Sequence, residues 1–252
     1  MNDSLFDVGG RTVLFAGGAG GLGSALALAF AKRGARAAIA DMDEERAKRL
    51  AVTLPGPGHF GFGLDVRRDD SCKQAVATVL GQFGRLDILF NCGGVIFLDS
   101  SLTLPAEQFE QSMAANTTGV FLMSRAAAKP MIDAGGGRII TLASVSSTVA
   151  NPNYAAYAAS KSALIGLTRV LALEYARNNV TVNAIGPAVI RTPMSEKYLE
   201  DETYAKTALG KIPMGRFSTP EDIIGTAILL ASAAGAFITG QTIYVDGGRT
   251  LS

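Results

Sequence analysis

Seven residues, Gly17-Gly18-Ala19-Gly20-Gly21-Leu22-Gly23, join a short apolar run at 13–16 to the Ala/Leu-rich segment 24–32. Glycines in such a turn let backbone N–H groups come close to a bound group, because no Cβ blocks the approach and φ > 0 is open. The helix that follows adds unsatisfied N–H donors and the positive end of its dipole, so the turn suits a pyrophosphate. The next apolar run, 37–40, ends directly at Asp41. A carboxylate at the end of that second strand can accept hydrogen bonds from both ribose hydroxyls of an adenosine. It also repels a 2′-phosphate by about 1–3 kcal/mol at a partly solvated site. Neither Gly20 nor Met42 carries a basic side chain to offset that repulsion. Gly17, Gly20, Gly21, Leu22, Gly23, Asp41 and Met42 are therefore expected to hold NAD in preference to NADP.

A second constellation lies further along. The apolar run 139–143 ends at Ser144, Tyr157 follows 13 positions later, and Lys161 stands four beyond it. On a helix, residues four apart share a face. Alone, such a Tyr/Lys pair reads as ordinary helix surface; after a nucleotide-binding turn and a strand-end serine it reads as a reaction centre.

Alternating elements must position these groups. Runs at 13–16, 37–40, 60–64, 86–90, 139–143, 180–185 and 243–245 have strand character, and helical period marks 69–83, 107–134 and 154–177. In the last of these, Leu164, Leu167, Leu171 and Tyr175 form one apolar stripe. Strand–helix alternation implies an α/β fold, a parallel sheet covered on both faces, in a single domain. The rhythm breaks at 191–216, where Glu196, Lys197, Glu200, Asp201, Glu202, Lys206 and Lys211 replace the usual apolar handover. That excursion is either solvated surface or a lid over the site.

Composition removes competing chemistries. A formal net charge of +1 over 252 residues offers no field for nucleic acid or an anionic membrane. Cys72 and Cys92 stand far apart without a C-x-x-C pattern, which disfavours thiolate metal and dithiol sites and favours a reducing, cytoplasmic setting. The single histidine, His59, follows the turn Pro55-Gly56-Pro57-Gly58 and is read as a solvated loop residue, leaving little material for a Ser-His-Asp or multi-His metal site. Residues 12–31 carry no charge, but five glycines interrupt them and the segment before Arg11 holds Asp3 and Asp7 without a basic residue, so neither a membrane span nor a signal peptide is expected.

Together, Gly17…Gly21-x-Gly23, Asn91-Cys92-Gly93-Gly94, Asn116, Ser144, Tyr157-x-x-x-Lys161, Gly186-Pro187 and the tail Gly240-Gln241-Thr242-Ile243-Tyr244-Val245-Asp246-Gly247-Gly248 resemble the short-chain dehydrogenase/reductase family, over about residues 9–248. The resemblance implies a Rossmann-like doubly wound parallel sheet of about seven strands in three layers, and hydride transfer between a secondary alcohol or its ketone and a nicotinamide. It implies a catalytic tetrad of Asn116, Ser144, Tyr157 and Lys161, with Tyr157 as acid/base, Ser144 holding the substrate oxygen, Lys161 bonding the nicotinamide ribose and Asn116 holding a relay water. Lowering a tyrosine pKa from about 10 towards 7 requires roughly 4 kcal/mol, and an ammonium about 4 Å away contributes on the order of 4 kcal/mol at an effective dielectric of 20. Matching positions place Asp65 and Val66 at the adenine, Asn91, Cys92 and Gly93 along the adenosine ribose and cofactor floor, and Pro187, Val189, Ile190 and Thr192 at the nicotinamide. A homotetramer, paired through the helices near 107–134 and 154–177 and through the C-terminal strands, is also implied.

Three positions depart from the family pattern: Ala16 stands for Thr, Cys92-Gly93 for Asn-Ala, and Ala188 for Gly. The lost side-chain hydrogen bonds cost about 1 kcal/mol each and lie off the hydride path; Cys92 then reads as a buried small hydrophobe. The substrate pocket is expected to draw on Ser144, Ser146, Asn151, Asn153, Tyr157, Phe97, Met194 and Tyr198, with Arg191 or Lys197 available to pair with an anion. That mixture suits a polyol, sugar or sugar acid. The alternatives are a 3-oxoacyl thioester reductase, which Asp41 disfavours because such enzymes generally use NADPH, and a noncatalytic NAD-binding sensor or scaffold.

Overall fold

A computed structural model describes residues 4–251. Seven strands, β1 (Thr12–Ala16), β2 (Arg36–Asp41), β3 (Phe60–Gly63), β4 (Ile88–Asn91), β5 (Gly137–Leu142), β6 (Val180–Pro187) and β7 (Thr242–Val245), form one all-parallel sheet in the order β3-β2-β1-β4-β5-β6-β7. Each strand falls on one of the seven apolar runs, with small shifts at the ends.

β1 shows why the runs are continuous rather than alternating. Val13 and Phe15 point into one apolar cluster with Leu26 and Phe30 of α1 (Gly21–Ala31), Ala47 of α2 (Glu44–Thr53) and Ile223. Leu14 and Ala16 point into a second cluster with Val79 of α3 (Asp69–Phe83) and residues of the helices that follow β4 and β5. Covered on both faces, the strand is buried throughout. Phe15 stacks on Phe90 at 5.3 Å between ring centres, and Phe30 meets both rings edge-on, fixing α1 over the β1/β4 seam.

The helical stretch expected at 107–134 is α4 (Ala106–Met113) and α5 (Gly119–Asp133), joined by one π-helical turn, Ala114–Thr118. Such turns recur at functional sites, and this one carries Asn116. The stretch expected at 154–177 is α6 (Ala155–Tyr175) and a short 3₁₀ turn. The polar excursion folds into α7 (Pro193–Leu199) and α8 (Glu202–Gly210), and α9 (Pro220–Ala231) returns to the sheet.

One other sequence reading, and one residue it did not single out, meet the structure here. His59 is a half-buried loop residue, but one with a structural role that the sequence reading did not give it: its Nδ1 accepts from the Ala37 N–H at 3.0 Å and Nε2 faces the Pro55 carbonyl at 2.9 Å, tying the turn to the start of β2. Asp87 is a strand-end brace, buried and accepting from the Thr12 N–H (2.8 Å), the Thr12 hydroxyl (2.9 Å) and Arg85 (2.8 Å) at the N-terminal edge of the sheet. Among the described residues no helix is long and apolar enough to cross a membrane; the uncharged stretch 12–31 is spent on β1, the glycine turn and α1.

The strand order places the site. The chain winds outward from β1 to β3, then returns to the other side of β1 as β4, so the connections leaving β1 and β4 diverge and open a crevice at the carboxyl ends of the strands. The crevice floor needs glycine: a Cβ on Gly17, which has φ +75°, would stand 2.3 Å from the Gly93 backbone.

Candidate active site

A cleft of about 820 Å³ runs over these carboxyl ends. One half is lined by Gly17, Gly20, Gly21, Leu22, Gly23, Asp41, Met42, Asp65, Val66, Cys92 and Gly93. The N-cap of α1 is Gly20, and no side chain caps that terminus, whereas Asp43 and Asp201 cap α2 and α8 with their carboxylates. α1 therefore directs its first-turn N–H groups at the cleft, with no side chain competing for them. A Cβ on Gly20 would meet only the Gly17 carbonyl, at 3.5 Å, so the bare backbone there serves the cleft rather than internal packing. Asp41, at the end of β2, accepts from the Ala19 N–H (3.0 Å) and the Asp43 N–H (3.2 Å), which orients its carboxylate beside the turn. This donor and acceptor set fits a dinucleotide: uncapped amides for the pyrophosphate, a fixed carboxylate for ribose hydroxyls.

Asn91 is the exception among the expected cofactor contacts. Its side chain donates to the Ser124 and Thr141 hydroxyls (3.1 and 3.2 Å) inside the sheet and is 4% exposed, because strand alternation turns it towards α5 and β5. Two cations that the sequence reading missed, Arg46 and Arg67, also line this half of the cleft. Arg67 forks onto Asp65 with two 2.8 Å bonds and holds that carboxyl below its ordinary pKa. Cys92 forms part of the wall, and burial pushes its thiol pKa up, so it is a neutral hydrophobe here, as expected.

At the centre, β5 ends just before Ser144, while Tyr157 and Lys161 lie one turn apart at the start of α6. Ser144 Oγ accepts from the Ser146 N–H at 3.1 Å. Lys161 is 5% exposed; its Nζ lies 5.7 Å from the centre of the Tyr157 ring and donates to the Leu142 carbonyl at 2.8 Å. Burial lowers its pKa to about 8. Burial raises the Tyr157 pKa, and the Ser144 hydroxyl offsets only part of that rise. The expected lowering of the phenol by a neighbouring lysine is thus not built into the protein alone, because the amine is committed to a main-chain carbonyl and both groups are desolvated.

Asn116 is wholly buried and does not line the cleft. Its Oδ1 accepts from the Val95 N–H (2.8 Å), and Nδ2 donates to the Val95 carbonyl (2.9 Å) and the Ser160 hydroxyl (3.0 Å). It positions the wall segment after Gly94 against α6.

The other half of the cleft is lined by Ser146, Asn151, Asn153 and Tyr198, as expected, by Pro187 at the end of β6, and by Val189, Ile190 and Thr192 beyond it. Phe97 does not line it; its neighbours Ile96 and Leu98 do. The side chains of Met194 and Lys197 lie outside the described residues. Arg191 is not turned to the pocket, since it pairs with Glu196 at 2.9 Å on the surface. Asn153 holds φ +69°, a left-handed conformation that Asn tolerates better than most residues. Tyr154 and Tyr204, missed in the sequence, bond hydroxyl to hydroxyl across the cleft. Tyr154 stands three residues before Tyr157 and could have been flagged by that spacing; Tyr204 offered only a polar helix.

A family model described as enoyl-(acyl carrier protein) reductase matches residues 17–250. The chain is 40% identical over 252 residues to D-threitol dehydrogenase of Mycolicibacterium smegmatis, covering 99% of this chain and 96% of that one. Its fold is similar to a short-chain type dehydrogenase/reductase from Mycobacterium marinum (TM-score 0.93, 35% identity, 99% of both chains). It is equally similar to a gluconate 5-dehydrogenase from Burkholderia cenocepacia in complex with NADP and tartrate (TM-score 0.93, 32% identity, 99% of this chain and 98% of that one).

Proposed function

Because the chain belongs to the short-chain dehydrogenase/reductase family, we propose that it interconverts a secondary alcohol of a polyol, sugar or sugar acid and the corresponding ketone, with NAD as the preferred cofactor. The observation that carries this reading is the grouping of Ser144, Tyr157 and Lys161 midway along a cleft whose other half is an uncapped helix end and a fixed carboxylate.

The nicotinamide, when bound, accepts or returns the hydride. The chain handles the proton and the orientation. Ser144, with its Oγ already fixed by the Ser146 N–H, holds the substrate oxygen against the Tyr157 hydroxyl. In oxidation Tyr157 takes the hydroxyl proton, and in reduction it returns one to the carbonyl oxygen. Leaving the Leu142 carbonyl, the Lys161 amine would bond the nicotinamide ribose, and its charge favours the phenolate. Asn116 keeps the opposing wall in register. The helices α7 and α8 flank the substrate half and would act as its lid.

The preference for NAD rests on Asp41, whose carboxylate is held in place by two backbone donors. Arg67 does not reverse it, since Asp65 already neutralises that guanidinium. Absorbance at the reduced-nicotinamide band, with NAD and NADP against polyols, sugars, sugar acids and 3-hydroxyacyl thioesters, tests the whole reading. Turnover is expected with polyols or sugar acids and NAD, and Asp41→Ser should raise the NADP/NAD ratio of kcat/KM about tenfold, the equivalent of about 1.4 kcal/mol. Thioester turnover alone, or equal use of both cofactors by the wild type, would overturn the corresponding part.

A homotetramer follows from the same reading. Leu173 and Val170 of α6 are 82% and 53% exposed, apolar surface of the kind that pairing of α6 between subunits would cover. Sedimentation is expected to give the mass of four chains, and a single-chain mass would remove the pairing. The free thiols Cys72 and Cys92 fit a reducing, cytoplasmic setting.

A further inference from the structure

Two tyrosines that no sequence motif singles out meet in the substrate half of the cleft. Tyr154, the N-cap residue of α6, and Tyr204, in the first turn of α8, bond hydroxyl to hydroxyl. They stand 50 positions apart in the chain, so the fold creates the pair. Both are half-buried and line the cleft that Ser144 and Tyr157 also line. Each ring is held in place. That of Tyr154 meets the Tyr157 ring edge-on, at 6.2 Å between centres. The Tyr204 N–H donates to the capping carboxylate of Asp201 at 3.2 Å, and its ring centre lies 6.3 Å from that of Tyr198 on α7.

A bond between two hydroxyls uses only one of their two protons. Whichever phenol donates, the other keeps a proton with no acceptor among the described residues, and both oxygens keep lone pairs. Burial raises the Tyr154 pKa, so that phenol is neutral at pH 7. The pair therefore offers the cleft a neutral donor and acceptor side by side, which is the complement of an alcohol hydroxyl. Because Tyr154 packs on the ring of Tyr157, a hydroxyl bound by the pair belongs to a carbon near the reacting one. A ligand with only C–H groups there would cover the pair and leave its spare proton unpaired.

Resting on the oxidoreductase reading above, we propose that Tyr154 and Tyr204 form a hydroxyl-binding subsite that holds a second substrate oxygen beside the reacting one, which makes the substrate a vicinal diol or polyol rather than a lone secondary alcohol or a 3-hydroxyacyl thioester.

The test uses matched pairs that differ by the neighbouring hydroxyl alone: 2,3-butanediol with 2-butanol, and 1,2-cyclohexanediol with cyclohexanol. Each compound is titrated calorimetrically into the protein with NADH present, where an alcohol cannot react, and assayed for turnover with NAD. In at least one pair the diol is expected to bind at least tenfold tighter than the lone alcohol and to show at least tenfold higher kcat/KM, because a site built to bond a hydroxyl rejects the analogue without it. Tyr154→Phe and Tyr204→Phe keep both rings and should each cut that diol-to-alcohol ratio about tenfold. A tyrosine pair that only ties α8 to α6 would lower both members of a matched pair together and leave the ratio unchanged, which is why the ratio is the readout. Equal use of diols and lone alcohols, no binding of either diol, or a ratio indifferent to both variants would overturn the subsite while leaving the oxidoreductase intact. Variant-sensitive binding of a diol without turnover of any compound would confirm the subsite and overturn the reaction.

Discussion

Tyr157→Phe is expected to lower kcat about 10³-fold, in the middle of the 10²–10⁴ span of general acid–base catalysis, while the affinity for NADH stays within about twofold of the wild type. The substitution removes one oxygen and leaves the ring, whose edge-on contact with Tyr154 at 6.2 Å does not involve that oxygen. The uncapped N-terminus of α1 and the Asp41 carboxylate, which the proposed function assigns to the pyrophosphate and adenosine, lie outside the change. The pH profile adds a second readout. Burial raises the phenol pKa in the ligand-free protein, so the phenol is protonated at neutral pH and oxidation, which requires the phenolate, should fall as pH falls. The wild type should show that acid limb in kcat, and the Phe variant should lose it with the rate. Stopped-flow absorbance for turnover and fluorescence titration for NADH separate the two effects. Retained turnover would remove Tyr157 from the chemistry, and lost NADH binding would make its role structural.

Much of this site is legible in the sequence because its local parts are short and ordered. The glycine turn, Asp41 at the end of the next strand, the strand-end serine and the Tyr/Lys helix pair each sit within or at the edge of one strand–turn–helix unit, and within such a unit chain order fixes position. The inner apolar runs locate strands for the same reason, since a parallel strand buried on both faces has few polar positions to break its pattern, while the edge strands β3 and β7 are only partly buried. What spacing cannot convey is which way a side chain turns and which distant segments meet. Asn91 sits at the expected place but faces the sheet interior. Asn116 lies on a helix that the periodicity shows as unbroken, and the π turn that presents it leaves no mark on the apolar pattern. Arg46, Arg67 and Arg249 reach the cleft from segments that carry no motif for a cation. The Lys161–Leu142 hydrogen bond joins a helix to the end of a strand across the intervening loop, a contact that only the packed structure defines.

That hydrogen bond leads to the second large effect. Lys161→Met is expected to abolish most activity and yet to stabilise the ligand-free protein at pH 7. The amine is buried, with its pKa lowered from 10.5 to about 8, so holding it charged in the folded state at neutral pH costs on the order of 3 kcal/mol relative to the unfolded chain. Methionine of similar length fills the space without a charge. It leaves the Leu142 carbonyl without its donor, at a cost of about 1 kcal/mol. The difference, about 2 kcal/mol, corresponds to a rise in Tm of roughly 4–8 °C for a chain of this size. The sign follows from proton linkage. Below pH 8 both folded and unfolded wild-type chains hold the lysine proton, and the variant has its full advantage. Between about 8 and 10.5 the folded wild type has released the proton while the unfolded chain keeps it, so the wild type gains stability with pH and the advantage shrinks. Above that range only the lost hydrogen bond remains, and the variant becomes the less stable of the two. Thermal melts of both proteins from pH 6.5 to 10.5 check this crossing; a variant less stable at pH 7 would mean that the folded protein accommodates the ammonium without strain. With NADH added the order is expected to narrow, because the wild-type amine gains a ribose hydroxyl that methionine cannot bond. A residue that weakens the empty enzyme and strengthens the loaded one is kept for the reaction, and its cost to the empty protein comes from the same burial that places a readily titrated amine beside Tyr157.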